Sequence, residues 1–130
     1  MKKVIVISIV FALMLGAMIG EIVYVNQFYN GIQHDLEIIA ESIDANEEHV
    51  DNQDTVALCA ALEEKWEKGK KIMLMLQNHN TVRNLDGQIM SLGAVVRSDN
   101  YNDAVIFARS AINYIDDILL DSVPYLSNLL

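Results

Sequence analysis

The chain has one cysteine, one proline, six glycines and only nine basic residues against eighteen acidic ones, and 7% of its 130 residues are aromatic. Each scarcity excludes something. A lone Cys59 cannot form an intramolecular disulfide, so the fold must be held by packing alone. Its sequence neighbours bring no histidine, which makes Cys59 a buried, inert thiol rather than a reactive one. A single proline is too few for a β fold dense in turns, and a 52% hydrophobic content is too high for a disordered chain. The excess of nine negative charges and the pI near 4.5 oppose nucleic acid as a partner, because phosphates repel such a surface. A solvated acidic face is the simpler meaning.

What is present begins with Lys2 and Lys3, followed by an uncharged run from Val4 to Gly20 whose apolar character, Glu21 apart, continues to Val25. A bilayer core needs about 20 helical residues at roughly 1.5 Å rise each, so the run can span if Glu21 sits in the far headgroup layer. No further Lys or Arg occurs before Lys65. The positive-inside bias therefore places Met1 in the cytoplasm and residues 26–130 outside the cell membrane, with residues 1–25 as cytoplasmic start and anchor. The alternative is a cleaved signal peptide that releases a secreted helical protein. Cuts after Ala17 or Gly20 would place Leu15 or Met18 where a small residue is required, so retention of the anchor is expected.

Within the run, Ser8, Ala12, Gly16 and Gly20 recur every four positions and share one helical face. Close backbone approach drives helix association in lipid, and Gly16-x-x-x-Gly20 is a form of it. This face is the expected packing surface for another membrane helix, from a second copy or a different membrane protein. The bland alternative is that small residues are common in spans.

Beyond Val25 the pattern becomes periodic. Val25, Phe28, Ile32, Leu36, Ile39 and Ile43 predict an amphipathic helix continuing the span. The polar stretch from Asn46 to Gln53 predicts a turn. A second helix, capped by Asp54, carries Cys59, Leu62, Trp66, Gly69, Met73 and Leu76 to about Asn78. A third, capped by Thr81, carries Val82, Leu85, Ile89, Leu92 and Val96, and Ser98-Asp-Asn100 breaks it. A fourth carries Tyr101, Val105, Ala108, Ile112, Ile115 and Leu119 until Pro124 ends or kinks it. The fold class is all-α: an N-terminal transmembrane helix continuing into an up-and-down antiparallel four-helix bundle. A loose duplication at a shift of 49 aligns Leu36 with Leu85, Ile43 with Leu92, Asp54 with Asp103 and Val56 with Val105.

Up-and-down topology sets Lys65, Lys68, Lys70 and Lys71 at the same membrane-proximal height as Asp116, Asp117 and Asp121. Three carboxylates at a helix C-terminus oppose its dipole, so ion pairing across the bundle is expected; contact of the lysines with anionic lipid headgroups is the alternative. The closing Val123-Pro-Tyr-Leu-Ser-Asn-Leu-Leu130 returns toward the bilayer.

Chemistry is sparse. His34, His49 and His79 lack a second His or Cys at metal spacing, so no metal or cofactor is expected. His49 lies among carboxylates and reads as their solvated partner. Asp116, Asp117 and Asp121 on one helix cannot build a six-oxygen calcium cage. No phosphate loop or nucleophile elbow occurs, and no enzyme is expected. Trp66 belongs to the core stripe, with a ligand pocket near Trp66, Tyr101 and Tyr114 as the competing reading.

Leu62-Glu-Glu-Lys-Trp66, the lysine-rich continuation to Ile72, His79, the periodic third helix and Asn128-Leu-Leu130 together resemble a family of small single-pass proteins of spore-forming Firmicutes, domain of unknown function 4363. In place of the acidic residue that the family tends to show soon after the histidine, this chain has Asn80-Thr-Val-Arg83. The resemblance implies a membrane-anchored, extracytoplasmic helical protein, with relatives encoded beside polytopic membrane proteins, and brings no catalytic residues. A non-catalytic accessory or interaction protein is the leading expectation, and a ligand-binding sensor bundle the second.

Overall fold

A computed structural model describes residues 1–122. It contains four helices: α1 (Lys2–Ala45), α2 (Gln53–Leu76), α3 (His79–Arg97) and α4 (Tyr101–Ser122). α1 packs on α2 and α4, and α3 packs on the same two, so the helices form an antiparallel square with α2 and α4 on one diagonal. The all-α, up-and-down architecture is therefore as the periodicity predicts. Pro124 and the returning tail at 123–130 lie outside the described residues.

α1 is one unbroken helix of 44 residues, about 66 Å long at 1.5 Å per residue. Its first half is exposed throughout, while its second half buries Val25, Tyr29, Ile32, Leu36, Ile39 and Ile43 in the bundle. The expected stripe is displaced at one position: Tyr29 is fully buried and Phe28 only partly. On α2 the core positions are Thr55, Cys59, Leu62, Trp66, Gly69 and Met73, and on α3 Val82, Leu85, Ile89, Leu92, Gly93 and Val96. α4 differs most from expectation. Its innermost residues are Ala104, Ala108, Ala111 and Ile115, whereas Tyr101, Val105, Ile112 and Leu119 flank the core. An alanine face lets the backbone of α4 approach its neighbours closely, so the largest side chains are not the deepest.

Two helix starts also move. Asn52, rather than Asp54, caps α2, its side chain accepting from the Thr55 amide at 2.9 Å, while Asp54 lies in the first turn where its charge favours the dipole. Asn78, rather than Thr81, caps α3 by accepting from the Asn80 amide at 2.8 Å. Asparagine outranks threonine as a cap, and position, not residue type alone, decides which residue serves.

At the distal end α3 closes in a Schellman arrangement, with the Asp99 amide donating to the Val96 carbonyl and the Asn100 amide to the Val95 carbonyl. Asp99 takes the left-handed conformation, φ 54°, that glycine usually supplies there. Its carboxylate accepts from the Val50 amide at 2.9 Å, and Val50 is buried beneath the α1–α2 turn. The two distal turns are thus tied together by one side chain.

The alanine face makes a prediction. Ala111→Leu must overpack the α4 contact and should lower stability by about 1–3 kcal/mol, whereas Ile106→Ser at an exposed site should change it by less than about 0.5 kcal/mol. Denaturant unfolding of the full chain in detergent measures both.

Candidate functional site

Two regions concentrate the residues singled out by sequence. The first is the exposed half of α1. An 18-residue window of this helix has a mean hydropathy of 2.4 and is entirely unburied, which makes it long and apolar enough to cross a membrane and suits an anchor or a signal sequence. Ser8 returns its hydroxyl to the Val4 carbonyl at 2.8 Å, which satisfies the polar group within the helix. A Cβ at Gly16 or Gly20 would meet nothing within 4 Å, so the face of Ser8, Ala12, Gly16 and Gly20 is open.

The second region is the lower bundle. Trp66 is fully buried and stacks on Phe28 with ring centroids 5.9 Å apart, and Phe28 meets Tyr29 edge-on at 5.8 Å. Gly69 is required here: a Cβ would strike the Phe28 ring. The indole N–H donates to Asp86 Oδ1 at 2.8 Å, and Lys70 Nζ reaches the same oxygen at 3.3 Å and Glu67 at 3.0 Å. These bonds raise the Lys70 pKa, Glu67 contributing most. A buried tryptophan needs such a partner for its polar edge, and Asp86, which the sequence reading did not single out, supplies it from the next helix.

Trp66, Tyr101 and Tyr114 do not converge on one pocket. Tyr101 stands at the distal end, its hydroxyl 3.4 Å from Asp44 and from Glu47. Tyr114 is 13 residues further along α4, about 20 Å away by helical rise, where its hydroxyl accepts from Asn84 at 3.4 Å. Among the described residues the buried Tyr29 hydroxyl has no hydrogen-bond partner, and burial, followed by the nearness of Tyr114, pushes its pKa up to about 12.

The lysines also find other partners than expected. Lys65 pairs with Asp35 of α1 at 3.0 Å, Lys70 with Asp86 of α3, and Lys68 with Glu64 within its own helix. Lys71 makes no ion pair among the described residues. Asp116 instead accepts from Gln33 Nε2 at 2.6 Å. Because α2 and α4 lie on the diagonal, equal height does not bring Lys65, Lys68, Lys70 and Lys71 to Asp116 and Asp117; the side chain of Asp121 lies outside the described residues.

Distally, ligand atoms of His49, Asp51 and Asp99 lie within 4.8 Å of one another, all three residues being exposed. His49 Nδ1 approaches Asp99 at 3.8 Å, so its acidic neighbours are Asp51 of its own stretch and Asp99 of the opposite turn. The other Asp99 oxygen already serves the Val50 amide. Cys59 is buried, and burial pushes its thiol from 9.0 up to about 11, Arg97 opposing and Glu63 reinforcing the shift.

This arrangement of one exposed apolar helix carried into a four-helix bundle defines a class: an all-α protein with a candidate membrane-crossing segment. The chain belongs to the family described as domain of unknown function (DUF4363), whose pattern it matches over residues 20–129. No curated protein and no solved structure matches it. The match covers the whole described bundle and takes in Gly20 but not Ser8, Ala12 or Gly16.

Two measurements follow. Asp86→Ala leaves the buried indole N–H unpaired and should cost about 1–3 kcal/mol, with Asp86→Asn, which keeps an acceptor, costing less; Trp66 fluorescence during urea unfolding distinguishes them. For Cys59 the folded pKa lies above the unfolded value, so its contribution is complete below pH 9 and is lost as pH rises toward 11. Unfolding midpoints should therefore fall across that window, and Cys59→Ala should flatten the decline.

Proposed function

We propose that the chain is a non-catalytic accessory protein of the cell membrane. Its N-terminus is cytoplasmic, residues 1–25 form a retained single-pass anchor, and the bundle from residue 26 stands outside the membrane as an interaction module. The anchor packs through Ser8, Ala12, Gly16 and Gly20 against another membrane helix.

The observation that carries this reading is the continuity of α1. The same helix that exposes an apolar face from Val4 to Tyr24 buries Val25 to Ile43 in the bundle, so the bundle is mounted on the span without a linker. Lys2 and Lys3 before the span, and no further Lys or Arg before Lys65, favour the cytoplasmic start. The row of small side chains at Ser8, Ala12, Gly16 and Gly20, one every four positions, supports helix–helix approach. In the bundle, Trp66, Asp86, Lys65, Lys70, Glu63 and Arg97 are spent on bonds between helices, which supports a packing role over a reactive one. The separation of Tyr101 from Tyr114, about 20 Å along α4, counts against a sensor pocket that both share with Trp66.

Crosslinking in native membranes, followed by co-purification, tests the proposal. Wild-type chain should capture a membrane protein or a second copy, and Gly16→Ile with Gly20→Ile should lose that capture while the bundle keeps its helical content. Unchanged capture would overturn the packing face, and recovery from the medium of a chain cut after Ala17 or Gly20 would overturn the anchor.

A further inference from the structure

The unbroken course of α1 fixes which way its lower half faces. At about 3.6 residues per turn, two residues nine apart are separated by about two and a half turns and point in opposite directions. The residues that α1 buries in the bundle are Val25, Tyr29, Ile32, Leu36, Ile39 and Ile43. Nine positions before each of them stand Gly16, Gly20, Val23, Gln27, Asn30 and His34. All six are exposed, and they form one line on the side of α1 that faces away from the bundle. Their alternating steps of four and three residues repeat those of the buried stripe, the spacing by which two helices hold contact along a common seam.

The chemistry of this line favours one occupant. It carries no charge from Gly16 to His34, about 27 Å of helix at roughly 1.5 Å per residue, in a chain with a net charge of minus nine. The side chains of Gln27, Asn30 and His34 make no hydrogen bond or ion pair among the described residues. An amide both donates and accepts, so Gln27 and Asn30 can each pair with the same residue of a second copy across a two-fold axis. An asparagine on such a seam also fixes its register and the number of strands. Copies anchored through the same segment enter the bilayer in one direction and to one depth, which brings Gly16 and Gly20 level with their own counterparts. Their bundles hang on the far sides of the two α1 helices and do not collide.

We propose that the outward line of α1 is the seam of a parallel, two-fold dimer of this chain. Gly16 and Gly20 pack against their counterparts inside the bilayer, and Gln27 and Asn30 pair with theirs just above it. The seam ends beyond His34, where the exposed Glu37 and Glu41 of the two copies would face one another and repel. This inference rests on the proposed anchor and names the partner of its packing face as a second copy.

The test uses the full chain reconstituted at low density in phosphatidylcholine vesicles, carrying Gln27→Cys, Asn30→Cys or Ile106→Cys. Ile106 is 60% exposed on α4, and the buried Cys59 of the unsubstituted chain gives the background. A disulfide needs Cα atoms within about 7 Å, so oxidation should give about fivefold or more linked dimer at 27 and 30 than at 106. Adding Gly16→Ile and Gly20→Ile should return the yield at 27 to that at 106. Suppose the yields at 27 and 30 do not exceed that at 106, while native membranes still give a different captured protein that the glycine substitutions release. That result would overturn the second copy and leave the packing face standing. A yield at 27 that the glycine substitutions leave unchanged would overturn the glycine-packed seam, and linkage strongest at 106 would overturn its place on α1. Neither linked dimer nor captured protein would overturn the seam and the packing face together.

Discussion

The continuity of α1 constrains everything else in the molecule. A helix that passes from an exposed apolar segment into a buried stripe without a break has one rotational phase, so the side that faces the bundle determines which side the segment shows one or two turns below. It also sets one axial scale. Every antiparallel contact made by α2 or α4 on α1 becomes a height above the apolar segment, as with Ser42 on Thr55 and Phe28 on Trp66. In a chain with a flexible joint after Val25, neither inference would hold.

Much of this was legible in sequence because burial in a helical bundle leaves a period that is hard to mimic. The stripes of α2 and α3 are read almost residue for residue, and the breaks at Asn46–Gln53 and Ser98–Asn100 fall where the chain turns. Misreadings have a common physical source: sequence patterns weigh size and type, whereas packing responds to distance. On α4 the small Ala104 and Ala111 are deepest because close approach rewards the absence of side chain. On α1, Phe28 and Tyr29 compete for one position; the tyrosine enters the core and the phenylalanine closes over Gly69.

Partners across helices were less legible, because an up-and-down order gives heights but not neighbours. Placing Lys65, Lys68, Lys70 and Lys71 at the height of Asp116 and Asp117 follows from topology, yet their pairing requires adjacency, and a square bundle puts α2 and α4 apart. Asp86 escaped notice for a related reason. Nothing in the local sequence of α3 marks it as the acceptor for an indole twenty residues earlier; only the packed pair reveals it. The burial of the Tyr29 hydroxyl and the Asp99 link to Val50 are likewise products of assembly.

The distribution of charge adds a final consequence of the fixed axis. Asp44, Glu47, Glu48, Asp51, Asp99 and Asp103 gather around the distal turns, where Arg97 and Arg109 are spent on Glu63 and Asp44. The opposite end, next to the apolar segment of α1, mixes both signs: Lys68, Lys70, Lys71 and Arg83 stand with Glu64, Glu67, Asp86, Asp116 and Asp117, and Lys68 and Lys70 are paired with Glu64, Glu67 and Asp86. The carboxylates of the distal turns are therefore the least balanced part of the negative charge, and an anionic surface repels that end most strongly. Screening confines such forces to about 10 Å at ordinary salt, so the mixed end, where most charges have a partner of opposite sign, is close to neutral toward anything that approaches it.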